Sequence, residues 1–426
     1  MTRVNRRIAA ASTIIALALA AGACGSDSND SSSTLKTTPA SDATATTAGS
    51  ATTGTLKSVE TSAPSATTLA PGETNGTLKT IPTSSPGTGG VTAQGISDEE
   101  CAANKAAGKI TYISSFDFSA SASIVDVVVA KEKGYFEDMC LDVDLKPGFS
   151  TTNYPLIASN QGQFSSAGNF TEILKYSNSG AQYEALVNYG KVPIEALVTK
   201  DPSITDLAQL KGKTIGVKGD IPSSLVAMLA KAGLKRGTDY KEVLLDGFDP
   251  VAQLKLDIDA LPVYKSNEPG QLDAAGVKYG LFDPADTDTP GTFGLIYTSK
   301  QFADEHPTAV AGFTRAALRG MEDAMADPAA AVAMSVEQIN AAGNQAFLTE
   351  QGETFRWTTE SKIVKDGTPA GEPIGAIDPA LFKTEFDTYV ADGVFPDGAP
   401  KFYEAWDADL ARSMYGSDGK VIWPTS

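Results

Sequence analysis

The pattern of apolar and polar positions divides the chain near Lys109 into a part without a core and a part with one. Residues 25–99 are mostly Ser, Thr, Ala, Gly and Pro, with almost no core-forming residue other than Thr. Such a composition cannot bury enough apolar surface to offset the loss of chain entropy, so a disordered tether is expected there. From Lys109 onwards, short apolar runs alternate with amphipathic stretches, which predicts a folded body.

Strands and helices are predicted to alternate through the first part of this body. Strands are expected at 110–113, 141–145, 164–166, 183–188, 194–198, 213–217, 243–245 and 258–263. Helices are expected between them, including one over 222–232, and this alternation indicates parallel sheets covered on both faces. After 293–297 the pattern becomes helical. The expected core positions of the helix after Pro307 are Val310, Phe313, Ala317, Met321 and Ala324.

The first residues have the form of an export signal. Arginines within the first seven residues precede an apolar run over 8–20, and small residues at 21–23 follow it. The run is too short for a membrane span, which needs ~20 residues, and its flanks are typical of a signal peptide. Cys24 resembles the lipidated, palmitate-bearing cysteine of a bacterial lipoprotein, which gives a signal peptide over 1–23 and a tether over 24–99. Secretion without lipid is the alternative, and both Sec and twin-arginine export remain open.

The expected location is therefore outside the cytoplasm, with a lipid anchor on the outer face of the bacterial cell membrane. Charge limits the partners further, because 426 residues carry 52 acidic and 34 basic side chains, for a formal net charge of −18 at pH 7. Phosphate binding needs clustered Lys and Arg, so no nucleic-acid partner is expected. The same acidity keeps the body away from anionic membranes except through the lipid.

The chain contains three cysteines and one histidine. With Cys24 assigned to the lipid, Cys101 and Cys140 are left as a pair in an oxidising compartment, and a disulfide between them is predicted. Two buried free thiols are the alternative. No CxxC motif occurs, and His306 lies where a helix is expected to start, so neither a metal site nor a cofactor is expected.

Several short segments, in a fixed order behind the lipoprotein-like leader, resemble a known family. They are AKEKGYF at 130–136, LDVDL at 141–145, LKGKTIGV at 210–217, NEP at 267–269 and YTSK at 297–300. The resemblance is to extracytoplasmic solute-binding proteins of ABC importers, in the SsuA/THI5-like branch that binds nitrate, sulfonates, taurine and pyrimidine precursors. It covers residues 109–406, and the segment 256–260 departs from the family pattern.

The resemblance implies an α/β fold with the two lobes of a type II periplasmic binding protein, each a mainly parallel sheet flanked by helices. Hinge crossings near 193–200 and 290–297 would give lobe one as 105–195 plus 296–426 and lobe two as 196–295. A helical C-terminal tail is expected, packed by Phe402, Tyr403, Trp406 and Trp423. The resemblance further implies a monomer that binds a small-molecule ligand by hinge closure and delivers it to a permease and its ATPase.

In open α/β sheets, ligands bind beyond the carboxyl ends of the strands, which selects candidate loops independently of the family. The loops of lobe one that this rule selects carry Phe116, Asp117, Phe118, Asn153, Tyr154 and Asn169. Aromatic rings there can stack on a flat ligand, and Asp117 can accept a hydrogen bond from it. Packing of the lobe end and helix capping are the alternatives.

The corresponding loops of lobe two carry Asp220, Ser223, Tyr264, Asn267 and Glu268. Amides at a helix start near Ser223 can bind an anion, unless Asp220 caps the helix itself. The resemblance implies that Glu268 pairs with a ligand amine, as a Glu near this place does in the pyrimidine-binding relatives. A glutamate in a first helical turn is the alternative.

The chain has no arginine between Arg7 and Arg236, although bidentate arginines commonly hold sulfonates and carboxylates. Acidic and aromatic side chains in the loops instead favour a pyrimidine-like or flavin-like heteroaromatic solute. Binding of nitrate, sulfonate or taurine is the alternative. A THI5-like pyrimidine-synthesis enzyme is disfavoured, because that chemistry depends on histidine and a cysteine-rich motif. A structural lipoprotein is the third class considered.

Overall fold

The computed structural model describes residues 96–177 and 181–424, which all fall within one compact unit. The predictions for the signal peptide and for Cys24 lie outside the described residues, as does the tether up to residue 95. The first helix, α1 (Asp98–Ala106), begins before the predicted end of the tether at residue 99. It starts there because the Ser97 side chain accepts a hydrogen bond from the Glu100 amide, 3.2 Å away, and caps it.

The strands of the described residues form two five-stranded sheets. The first contains β1 (Lys109–Ile113), β2 (Asp142–Lys146), β3 (Phe164–Ala167), β4 (Tyr183–Gly190) and β10 (Phe293–Ser299). The second contains β5 (Glu195–Thr199), β6 (Thr214–Val217), β7 (Lys241–Leu244), β8 (Ala260–Tyr264) and β9 (Gly280–Phe282). Each predicted strand recurs with its bounds shifted by a few residues, whereas β9 was not predicted. We call the bodies built on these sheets lobe one and lobe two.

The two sheets have the same mixed topology. Their strand orders are β2-β1-β3-β10-β4 and β7-β6-β8-β5-β9. In the first sheet β10 is antiparallel to both neighbours, and in the second β5 is. The remaining strands of each sheet share one direction. The predicted pair of mainly parallel sheets is therefore confirmed, with one antiparallel strand in each.

The chain passes between the sheets twice within the described residues. It leaves the first sheet after Gly190 and enters the second at Glu195, then leaves at Phe282 and returns at Phe293. Each passage begins a few residues before the segment expected from the sequence. The antiparallel strand of each sheet is thus the one that follows a passage, so β5 and β10 connect the lobes directly.

Helices cover both sheets. Those before β10 are α2 (Val125–Glu132), α3 (Tyr135–Asp138), α4 (Ser150–Ala158), α5 (Phe170–Tyr176), α6 (Ser223–Lys231), α7 (Pro250–Gln253) and α8 (Glu268–Ala274). Those after it are α9 (Lys300–Glu305), α10 (Pro307–Ala326), α11 (Pro328–Ala341), α12 (Glu350–Gly367), α13 (Pro379–Ala391) and α14 (Leu410–Ser413). Short 3₁₀ helices lie at Leu207–Leu210 and Pro284–Thr287. No helix of the described ranges combines the length and the apolar character needed to cross a bilayer.

Helix α10 lies in the core of lobe one, and all five of its predicted core positions are buried. The ring of Phe313 stacks on Phe164 of β3, with 3.9 Å between the centroids. On another side α10 approaches α2 so closely that a Cβ at Gly320 would lie 2.0 Å from the Asp126 carbonyl oxygen. Glycine is therefore required at this crossing.

A disulfide between Cys101 and Cys140 joins α1 to the end of α3, which is the pairing predicted from the sequence. The prediction of a helical C-terminal tail is only partly correct, since the chain after α13 is mostly irregular. Glycines and prolines over 393–400 explain why, because they interrupt a helix. Trp406 instead forms a β-bridge with Ala185, and its ring packs against Phe382 of α13.

Candidate functional site

Four side-chain contacts join the lobes at the carboxyl ends of their parallel strands, where a cleft for a ligand is expected. They are Phe116 with Phe248, Arg356 with Asn267, Glu360 with Ser266, and Lys175 with Asp220. The first of them is an edge-to-face contact with 6.2 Å between the ring centroids. Loops after β1 and β7, the loop after β8, and helix α12 therefore meet around the same space.

Phe116 lies at this junction, as predicted for a ligand-binding residue. Its ring contacts Phe149 of lobe one as well as Phe248 of lobe two, and the Arg356 guanidinium lies 5.7 Å from its centroid. Phe149 and Phe248 are both about half exposed. Phe118, by contrast, is buried among apolar residues of lobe one, including Ile339. That position favours packing of the lobe end over contact with a ligand.

Asp117 is buried in a conformation that costs free energy. Its φ is 48°, in the left-handed region that non-glycine residues rarely adopt, and its side chain is 5% exposed. Oδ1 accepts a hydrogen bond from the Phe118 amide at 2.8 Å. Burial raises the pKa of this carboxyl, the Phe118 amide lowers it, and the nearby Glu353 raises it further. A strained, buried carboxyl beside aromatic rings is the strongest indication of a binding site in lobe one.

Asn153, Tyr154 and Asn169 are occupied within lobe one. Asn153 is buried and donates to the Ser114 carbonyl at 2.7 Å. The buried Tyr154 ring stacks on Tyr297, with 4.8 Å between centroids, while Asn169 caps α5 by accepting from the Glu172 amide at 2.8 Å. These contacts favour the alternative roles, support and capping, over the predicted contact with a ligand.

In lobe two, Asp220 is an ion-pair residue and does not cap α6. Burial opposes its charge, but hydrogen bonds from Arg236 and Lys175 outweigh this effect and lower the pKa of Asp220. Helix α6 consequently begins at Ser223 without a side-chain cap. The neighbouring Ser224 is the residue whose hydroxyl is engaged, since it donates to Glu195 Oε2 at 3.0 Å.

Tyr264 ends β8, and its ring remains 45% exposed. Loss of water around the ring raises the pKa of its phenol, and the carboxylates of Glu195, Glu172, Glu268 and Glu360 raise it further. Because these carboxylates come from both lobes, Tyr264 lies between the lobes in negative surroundings.

The other two predicted residues of lobe two are tied to protein partners. Glu268 is buried, and its carboxylate accepts from the Tyr264 amide at 2.8 Å and from Lys218 at 2.6 Å. Asn267 Oδ1 accepts from Arg356 at 2.9 Å. The ion pair with Lys218 satisfies one oxygen of Glu268 without a ligand amine.

Helix α12 contributes the part of the site that sequence reasoning missed. Glu353 accepts a hydrogen bond from the Ala120 amide at 2.7 Å, and Glu360 accepts one from the Ala122 amide at 2.8 Å. Arg356, one helical turn from each, forms an ion pair with Glu353 at 3.1 Å. Burial raises the pKa of Glu360, and Arg356 opposes this shift. In the sequence, Glu353, Arg356 and Glu360 are spaced by three and four residues, which places them on one face of a helix. The same spacing is typical of an exposed, charged helix face, so it did not identify the site.

Buried glutamates recur at these strand ends. They are Glu195, Glu268, Glu353, Glu360 and Glu385, each at most 5% exposed, and we call them the glutamate set. Glu385 accepts from the Thr171 amide at 2.8 Å and from the Thr292 hydroxyl at 2.6 Å. Burial raises the pKa of Glu385 to about 7, and hydrogen bonds from the two threonines oppose the rise. Each member accepts a hydrogen bond from a residue at the carboxyl end of β1, β3, β6 or β8.

The arrangement brings aromatic rings and carboxyl groups together where the two lobes meet. Donors at the strand ends, such as the amides of Ala120 and Ala122, are bonded to the glutamate set. The carboxyl of Asp117 and the partly exposed Tyr264 lie at the same junction. Among residues 96–177 and 181–424, no three metal-ligating side chains are grouped together. Two concave sites of the described residues, about 420 and 300 Å³ in volume, are lined by Trp423 and its neighbours and by Tyr154 and Tyr176, not by the interlobe loops.

Known proteins resemble this chain in sequence and in fold. Residues 121–331 match the family model described as NMT1/THI5 like. The chain is 27% identical over 217 residues, 50% of its length, to the riboflavin-binding protein RibY of Chloroflexus aurantiacus. It spans 61% of the length of that curated relative.

Solved structures share the fold at low sequence identity. A protein from Bordetella bronchiseptica RB50 gives a TM-score of 0.52 at 19% identity, over 71% of this chain and 96% of its own. The periplasmic aliphatic sulphonate binding protein SsuA from Escherichia coli gives 0.50 at 14% identity, over 75% of this chain and 93% of its own. Over residues 121–331 the chain is therefore similar to the NMT1/THI5-like family, and its fold is that of the SsuA-type periplasmic binding proteins.

Proposed function

We propose that this protein is the solute-binding component of an ABC importer and that its ligand is an uncharged heteroaromatic molecule with a flavin-like or pyrimidine-like ring. One observation carries the choice of ligand. Phe116 of lobe one meets Phe248 of lobe two beside the buried carboxyl of Asp117. Aromatic rings from both lobes and one acceptor suit a planar ring that bears an N–H group.

Asp117 is the group that distinguishes such a ring from a simple aromatic molecule. The only hydrogen bond that its carboxyl accepts from the described residues comes from the neighbouring amide of Phe118. A carboxylate can accept several hydrogen bonds, so capacity remains for an N–H of the ligand. A buried acceptor left without its partner costs free energy, which makes Asp117 selective for a donor.

The named relative supports the same class of ligand, because RibY is described as a riboflavin-binding protein. Binding of a nitrate-type, sulfonate-type or taurine-type anion is the second candidate. It is favoured by the start of α6, which has no side-chain cap and therefore presents free amides. The carboxylate of Glu195, which accepts from Ser224 on that first turn, opposes an anion there.

The residues of the cleft favour binding over catalysis. His306 is the only histidine of the chain, and it is the residue before α10. Its ring lies against Phe302. Both non-lipid cysteines are joined in the disulfide. A pyrimidine-synthesis reaction that depends on histidine and a cysteine-rich motif therefore has no side chains here to perform it.

The proposal includes a lipid on Cys24, an extracytoplasmic location, a monomeric binder and a permease with its ATPase as partner. Lipid on Cys24 anchors the binder near its permease without contributing to the ligand site. Cys24→Ser is therefore expected to leave ligand affinity unchanged and to reduce uptake by cells. Equal uptake by the variant would contradict the anchoring proposal alone.

Mass spectrometry of small molecules released from the purified full chain tests the ligand class directly. Calorimetry with riboflavin, an aminopyrimidine, taurine and nitrate then ranks the candidates. We expect binding of one of the two heteroaromatic compounds and no heat with the anions. Tight binding of taurine or nitrate, with no response to either ring, would refute the proposed ligand and leave the transport role in place.

A further inference from the structure

The loop that leads from β1 into α2 offers backbone amides toward the cleft, and two carboxylates of this chain already hold them. Glu353 Oε2 lies 2.7 Å from the Ala120 nitrogen, and Glu360 Oε2 lies 2.8 Å from the Ala122 nitrogen. The Ser121 hydroxyl adds a bond to Glu360 Oε1 at 3.2 Å. Amides that precede a helix are common ligands for anions, so the position of a ligand anion is taken by protein side chains.

Glu360 also makes a contact with lobe two. Its Oε1 accepts from the Ser266 hydroxyl at 2.7 Å, so one carboxylate bridges a loop of each lobe. Both side chains are buried. The lobes are therefore held together here by a charge that belongs to the protein, and closure at this point requires no charge on the ligand.

We infer that Glu353 and Glu360 are specificity-determining residues that exclude anionic groups from the cleft, so that an unmodified ring binds and its phosphorylated or sulfonated analogue does not. The inference rests on the proposed function for the identity of the ring. Beyond the proposed function, the inference states that the site excludes negative charge and that Glu353 and Glu360 are responsible.

The local charges agree with exclusion. Arg356 pairs with Glu353 and donates to Asn267, and its guanidinium lies over Phe116, so groups of this chain already hold it. Glu360 is a second carboxyl near this guanidinium, and Asp117 adds a third near Glu353. At an effective dielectric constant of about 20, one additional negative charge ~6 Å from a carboxylate weakens binding by roughly a hundredfold.

Titration of the full chain with riboflavin and with its 5′-phosphate, followed by flavin fluorescence, measures this discrimination. We expect wild type to prefer riboflavin by at least about thirtyfold, given the size of such charge effects. A Glu353→Gln/Glu360→Gln variant keeps acceptors for both amides and removes both charges, so the ratio should fall about tenfold or more. Glu350→Gln, an exposed position on the same helix, is the matched control and should leave the ratio unchanged.

Equal binding of both flavins by wild type would overturn the inference and leave the proposed function intact. An unchanged ratio in the double variant, with a normal melting curve, would overturn it as well. If wild type binds neither flavin, the proposed ring is wrong.

In that case ethanesulfonate tests the inference. Binding of ethanesulfonate to Glu360→Ala, which frees the Ala122 amide, but not to wild type supports exclusion of anions. Binding to wild type, or to neither protein, overturns it.

Discussion

The hydroxyl of Ser266 in lobe two donates to the carboxylate of Glu360 in lobe one across 2.7 Å, and both side chains are buried. A hydrogen bond to a charged group in such surroundings contributes about 1.5–3 kcal/mol. This bond and the contact between Phe116 and Phe248 lie in different loops but join the same two lobes. Together these two contacts hold the lobes against each other through side chains of the cleft.

Ser266→Ala is expected to weaken closure without unfolding either lobe. Glu360 keeps its bonds to lobe one, so the loss should reduce ligand affinity by about tenfold. Small-angle scattering should show a larger radius of gyration than wild type at the same ligand concentration. Thr238→Ala, an exposed position in lobe two, is the control. Identical scattering and affinity in the two variants would show that this bond does not hold the lobes together.

Phe248→Ala is expected to reduce affinity for a flat ligand by roughly tenfold, because it removes the ring that lobe two places against Phe116. The side chain is 46% exposed, so the free energy of unfolding should change by less than about 1 kcal/mol. Calorimetry and urea unfolding measure the two effects. Phe347→Ala removes a ring that is 84% exposed and should change neither. A loss of affinity that is equal in both variants would argue against an aromatic contact with the ligand.

Asp117→Asn separates binding from stability. Asparagine tolerates the left-handed φ of 48°, and it removes a carboxyl whose pKa burial raises, so stability should hold or increase. Affinity should fall at least about tenfold, because an amide presents one acceptor oxygen where the carboxylate presents two. Asp288→Asn, exposed at a similar φ of 51°, is the control for the backbone effect. Unchanged affinity would remove Asp117 from the site.

Glu385 predicts a pH dependence of stability. Its pKa is raised from 4.5 to about 7 in the folded protein. Between these values the folded state binds a proton that the unfolded state does not, so stability falls as pH rises, by up to about 1.4 kcal/mol per pH unit. Glu385→Gln should therefore raise the free energy of unfolding at pH 8 by about 2 kcal/mol and change it little at pH 4.5.

The comparison is urea unfolding at pH 5, 6, 7 and 8. Burial also raises the pKa of Asp126 to about 7, while its hydrogen bond with Tyr189 opposes that shift, so the slope should decrease in the variant and not vanish. Glu404→Gln, at an exposed position, should reproduce the slope of wild type. A slope that is equally steep in the Glu385 variant would mean that this carboxyl does not titrate between pH 4.5 and 7.

Periodicity predicted the folded architecture well, because the apolar runs of β1 to β8 and the core positions of α10 are local signals. The roles of single loop residues were harder to predict. Asn153 and Tyr154 follow a strand end, yet both turn into lobe one, where they bond to Ser114 and Glu172. The direction of a loop side chain depends on partners distant in sequence, which a pattern does not contain.

The contribution of α12 was missed for the same reason, because it depends on contacts between residues that are distant in sequence. Glu353 and the Ala120 amide that it binds are 233 residues apart. In the sequence this glutamate resembles the charged face of a solvated helix. Only the packing of α12 against the loop before α2 turns that face inward. The early loops do lack arginine, as the sequence shows. However, Arg356, from much later in the chain, lies beside Phe116 of the first of these loops.

The position of β10 between β3 and β4 has a consequence for how the protein is made. Every strand of lobe two is contiguous in sequence, from Glu195 to Phe282, so its sheet can close as soon as that segment leaves the ribosome or the export channel. The sheet of lobe one must wait for Phe293–Ser299, about a hundred residues after β4, and carries the larger loop-closure entropy. The sheet of lobe two is thus able to form first, and a nascent chain that ends before β10 exposes the facing edges of β3 and β4 to chaperones and proteases.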